Sequence, residues 1–122
     1  MRIKRGIIFL GIVVAIGFLV FFYQSDIDES DVSVWIVATD SGEFEPSRVT
    51  VNEGDVVGWR NESSEPIWPA SNLHPDHTVY PEFDAFESVD PGEYWLFKFN
   101  KRGEWRYHDH LGPANTGVVA VE

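Results

Sequence analysis

The chain's four histidines come as two close pairs, His74-Pro75-Asp76-His77 and His108-Asp109-His110, and the sequence contains no cysteine. In a strand, side chains two apart share a face, so His108 and His110 can chelate one ion without distorting the backbone. A spacing of three across a proline-containing turn can bring His74 and His77 inward in the same way. Neutral imidazole suits Cu(II), Zn(II), Ni(II) or iron, and the affinity order of divalent metals favours Cu(II) at equal availability, with zinc the alternative. Two exposed imidazoles on a lone strand would give the same H-x-H spacing, so the pairs are candidates by their clustering and not by either motif alone. Asp76, Asp109, Glu82 and Asp84 lie close by in sequence, and any of them could orient a ring through its second nitrogen or simply belong to the general acidity. Trp68, Trp105 and Tyr107 are expected to be packing residues. No serine–histidine–acid grouping, phosphate-binding glycine loop or cysteine zinc set competes with the histidines.

The elements that must carry them are short β-like runs cut by turn residues. VSVWIVATD alternates apolar and polar and ends at Asp40-Ser41-Gly42, RVTV leads into Asn52-Glu53-Gly54, and DVVGWRN ends in Glu62-Ser63-Ser64. HTVY, EYWLFKF, EWRYH and TGVVAVE follow, which makes seven expected strands with no stretch of helical period. That pattern predicts an all-β sandwich or barrel and excludes a parallel α/β architecture. Residues 65–89 hold four of the seven prolines and two of the histidines, and a loop of that length inside a compact domain is expected to be functional.

The N-terminus is of a different kind. Arg2, Lys4 and Arg5 precede a run from Gly6 to Tyr23 without a charged side chain, close to the ~17–25 residues a membrane-crossing helix needs. The run exceeds the ~7–15 apolar residues of a signal-peptide core, and no A-x-A-like site precedes Gln24. Residues 1–25 are therefore expected to be a single transmembrane helix that anchors the chain, a cleaved signal being the alternative that would leave the protein secreted. The basic flank stays inside, which puts an acidic linker over 26–31 and a domain over 32–122 on the extracytoplasmic side of the cell membrane. All twenty acidic residues but only six basic ones follow Ser25, a formal charge of −14 that repels nucleic acid and attracts cations.

From Glu43 onward, FEPSRVTVNEGDVVGWRN, HTVYPEFD and PGEYWLFKFNKRGEWRYHDH followed by TGVVAV occur in an order that resembles the cupredoxin family. The resemblance implies a Greek-key β-sandwich with a copper site, His77 at the first ligand position and His110 as the histidine of the final loop. It also implies a cysteine and usually a methionine in that loop, yet there is no cysteine, Met1 is the only methionine, and Asn115 and Thr116 stand where the methionine is expected. The copper–thiolate bond of a blue site cannot form here. Tyr107 or Asp109 takes the cysteine's place, depending on register, and His77, His108 and His110 suit either alignment, with His74 as a fourth ligand.

The leading expectation is a membrane-tethered, extracytoplasmic domain that binds one copper ion for binding, delivery or buffering and not for fast electron transfer, with a redox or copper-transfer protein as the candidate partner. A histidine-copper redox enzyme or an oxidase-like partner subunit is the second expectation. A metal-free acidic interaction module is the third.

Overall fold

The structure, a computed structural model, describes residues 10–15, 18–23 and 27–122, the first two runs as backbone only. Those two runs are β1 (Leu10–Ala15) and β2 (Phe18–Tyr23), an antiparallel ribbon with Leu10 opposite Tyr23 and Ala15 opposite Phe18. The other thirteen residues of the 1–25 segment lie outside the described residues, so the single helix expected over 1–25 falls for the most part on residues that the structure does not describe. Among the described residues no helix is long and apolar enough to cross a membrane.

The remaining strands are β3 (Val32–Ala38), β4 (Phe44–Glu45), β5 (Arg48–Val51), β6 (Val56–Asn61), β7 (Pro69–Ser71), β8 (Tyr94–Lys98), β9 (Gly103–Asp109) and β10 (Gly112–Val121). They form two four-stranded sheets, β4-β3-β6-β8 and β5-β10-β9-β7, in which the β3–β6 and β5–β10 pairs are parallel and the rest antiparallel. The β-branched and aromatic runs became strands because alternate residues could be buried between the sheets. Ile36, Trp59 and Trp95 from one sheet meet Val49, Tyr107, Val119 and Val121 from the other in a single core. Trp59 sits at its centre, with ring centroids 5.0–6.3 Å from Trp95, Phe83, Tyr107 and Phe99.

Six of the seven expected strands are present. HTVY is the exception, because residues 77–80 form no strand. His77 has φ +57°, which turns the chain, and Val79 N–H donates to Asn72 C=O at 2.9 Å, closing a loop back on β7. Two short strands, β4 and β7, had no sequence signal strong enough to announce them.

The long loop that contains these residues is anchored by both its apolar side chains and its backbone. Tyr80 and Phe83 are buried, Phe83 stacking on Trp95 and Phe97. Ser71 N–H donates to Phe83 C=O at 2.7 Å, Ala85 N–H to Pro69 C=O at 3.0 Å, and Ile67 and Val89 exchange a pair of backbone bonds. Residue 84 is thereby held against β7, with consequences for the site.

Candidate metal centre

The two histidine pairs arrive at one end of the sandwich from adjacent elements. His108 lies near the end of β9, between Ala70 of β7 and Thr116 of β10. His110 stands in the turn after β9, its backbone N–H donating to Trp68 C=O at 2.8 Å. Asp109 shapes that turn: its Oδ1 accepts from Trp68 N–H at 2.8 Å and Leu111 N–H at 3.0 Å, so the side chain between the two histidines serves the backbone. His74 and His77 come from the loop after β7. The left-handed φ of His77 costs a non-glycine residue roughly 1–3 kcal/mol and is sustained by the loop's anchors.

One ring nitrogen from each of His74, His77, His108 and His110 lies within 4.8 Å of the others. His74 Nδ1 is 3.1 Å from His108 Nε2, and His77 Nε2 is 3.1 Å from His110 Nδ1. Four nitrogens bound at ~2.0–2.1 Å to one tetrahedral ion would be roughly 3.3 Å apart, so the cluster is close to the size a single ion requires. The donor set is nitrogen throughout, which fits Cu(II) or Zn(II) and leaves no thiolate.

The second nitrogens define which atoms face inward. His77 Nδ1 is 2.7 Å from Asp84 Oδ2, and since a carboxylate only accepts, Nδ1 carries the proton and Nε2 faces the cluster with a lone pair. His108 Nδ1 is 3.0 Å from Asn72 Oδ1, which leaves His108 Nε2 free in the same way. Burial, reinforced by the neighbouring His77, His74 and His110, pushes the His108 imidazolium down to a pKa of about 4. His108 is therefore neutral at pH 7 with its donor atom available.

The expected histidines all converge. Asp84, only one of four acidic candidates in the sequence, is the one that touches a ring. Asp109 is buried but turned to the backbone, while the exposed Glu82 pairs with Lys101 at 3.6 Å. Two contributors had gone unrecognised. Asn72 gave no signal, being an ordinary loop residue until the fold places it against His108. Trp68 was expected only to pack, yet its indole lies 4.7 Å from the His110 ring and its Nε1–H donates to Asp84 Oδ1 at 2.6 Å. Tyr107, by contrast, is core: its ring packs on Phe44, Trp59 and Phe83, and burial pushes its phenol up.

Among the residues whose side chains are described, four large apolar ones stay exposed, Leu73, Val79, Phe86 and Leu111. Leu73 adjoins His74, Leu111 adjoins His110, Val79 is two residues from His77 and Phe86 two from Asp84. Each of these exposed apolar residues is thus close in the chain to a residue of the centre.

No family model matches the chain. A chloroplastic plastocyanin from Tetradesmus obliquus is 34% identical over 97 residues, 70% of this chain, and the chain spans 64% of that relative's length. Among solved structures, a purple cupredoxin from Nitrosopumilus maritimus superposes with a TM-score of 0.63 at 21% identity, covering 74% of this chain and all of the other. An oxidised variant of amicyanin reaches 0.67 at 20% identity, covering 78% and 86% of the two chains.

Proposed function

The sandwich has the cupredoxin fold without the cysteine of a blue site, and from that premise we propose that it binds one copper ion through His74, His77, His108 and His110 in order to hold and hand over the metal. The observation that carries this reading is the convergence of the chain's only four histidines on one point, with the free nitrogens of His77 and His108 turned inward. Copper bound there would supply a Lewis-acidic, redox-active centre. The residues of the chain orient the donors, keep His108 unprotonated and surround the ion with imidazole, which suits Cu(II).

Delivery or buffering needs a face from which the ion can be exchanged. His74 is the exposed member of the set, and with the exposed Leu73 next to it in the chain it offers the surface that a copper-transfer or redox protein would cover. We place this activity outside the cytoplasm at a single-pass membrane anchor, on the strength of the basic residues 2–5 and the uncharged run behind them.

The test is titration of the metal-free full-length chain with Cu(II) in competition with Zn(II), followed by electron paramagnetic resonance. One equivalent of nitrogen-coordinated Cu(II) without intense blue colour is expected. His77→Ala and His110→Ala should each abolish stoichiometric binding while the circular dichroism stays that of a β-sandwich. Unchanged affinity in both variants would overturn the assignment.

A further inference from the structure

Asp84 is 7% exposed, and its side chain accepts three hydrogen bonds: from His77 Nδ1 at 2.7 Å, Trp68 Nε1 at 2.6 Å and Phe86 N–H at 2.7 Å. It is the carboxylate that hydrogen-bonds a ring of the cluster, whereas His108 leans on the neutral amide of Asn72 and Asp109 is engaged by backbone N–H groups. The centre therefore combines four imidazole donors with a carboxylate held at a single ring.

We propose that Asp84 sets which oxidation state of copper the centre prefers, its charge acting through the His77 ring to favour the divalent ion over the monovalent one. The inference rests on the copper reading above and extends it to specificity. The physical reason is that attraction between the carboxylate and a bound ion scales with the ion's charge, so Cu(II) gains twice what Cu(I) gains at the same position. A hydrogen bond that merely aimed the ring would help both ions equally. The burial of Asp84 matters because solvent would screen the same charge at the surface. Its three donors also fix its position, so the charge cannot swing away when the ion changes.

The two possibilities separate in the ratio of affinities. Dissociation constants for Cu(II) and for Cu(I) would be measured by chelator competition on the full-length chain, on Asp84→Asn and on Asn72→Asp. Asp84→Asn is expected to weaken Cu(II) by roughly 10–100-fold, the usual consequence of losing a carboxylate behind a metal-bound histidine, and Cu(I) at least tenfold less. Each tenfold change in that ratio raises the midpoint potential by about 59 mV. Asn72→Asp places a second carboxylate behind His108, leaves the Asp84 contacts alone and should shift the ratio the opposite way. It decides the matter by itself if Asp84→Asn fails to fold. Equal weakening of both ions in Asp84→Asn, with no shift in Asn72→Asp, would overturn the inference and leave Asp84 as an aiming group. A native chain that holds neither ion would instead overturn the copper reading itself.

Discussion

An imidazole ligates a metal only while a ring nitrogen keeps its lone pair, so protons and metal compete for each of the four rings. At His108 the fold has already decided that competition, because burial and three neighbouring imidazoles hold its pKa at about 4. An unfolded chain would bind that proton near pH 6.5. Between these two values the unfolded state carries more protons than the folded one, so the stability present at neutral pH must fall as the pH drops from about 6.5 towards 4. Urea midpoints of the metal-free protein at pH 7, 5.5 and 4.5 should show the decline, and His108→Gln should flatten it. An equally steep decline in His108→Gln would mean that other groups are responsible. The same residue illustrates why apparent conservatism misleads: the side chains that orient His108 and His77 are an amide and a carboxylate in similar positions, yet only one adds charge.

At the scale of elements, the site depends on how β9 is seated. Gly117 of β10 pairs with Tyr107, whose ring occupies the space a side chain would need there; a Cβ on Gly117 would run into the Tyr107 Cζ and Oη atoms. The opposite sheet repeats the device, with Trp35 lying over Gly58 and Arg60 over Trp35 at 4.3 Å. Gly117→Ala must push a fully buried ring, and overpacking of this kind costs about 1–3 kcal/mol. Since Tyr107 immediately precedes His108, the variant is also expected to weaken copper binding. Thermal unfolding together with the copper titration checks both effects, and a stable variant with native affinity would show that β9 accommodates the change freely. The loop that carries His74, His77 and Asp84 is positioned differently, by the burial of Tyr80, Phe83, Ala85 and Val89 and by backbone bonds to β7.

For the whole molecule, the dominant long-range term is the formal −14 carried by the residues after Ser25. Self-repulsion of that size opposes the compact state. The Debye length shrinks from ~10 Å at 0.1 M salt to ~3 Å at 1 M, so added sodium chloride should raise the melting temperature of the metal-free protein. A melting temperature that stays level or falls across that range would mean that exposed ion pairs such as Arg48–Glu104, at 2.8 Å, outweigh the repulsion.

The sequence by itself determined the all-β class and six of the strands, because alternation of apolar and polar residues is a local property that survives in the sandwich. It also determined the four candidate ligands and the exclusion of a thiolate site, since those depend only on which residue types exist. Only the tertiary structure decided that HTVY is a loop, that Asp84 is the carboxylate which meets a ring, and that Asn72 and Trp68 complete the surroundings. Those outcomes depend on where Tyr80 and Phe83 find their places in the core, against strands that are distant in sequence. Burial of two aromatic rings outweighs the local strand preference of four residues, and no neighbouring sequence carries that information.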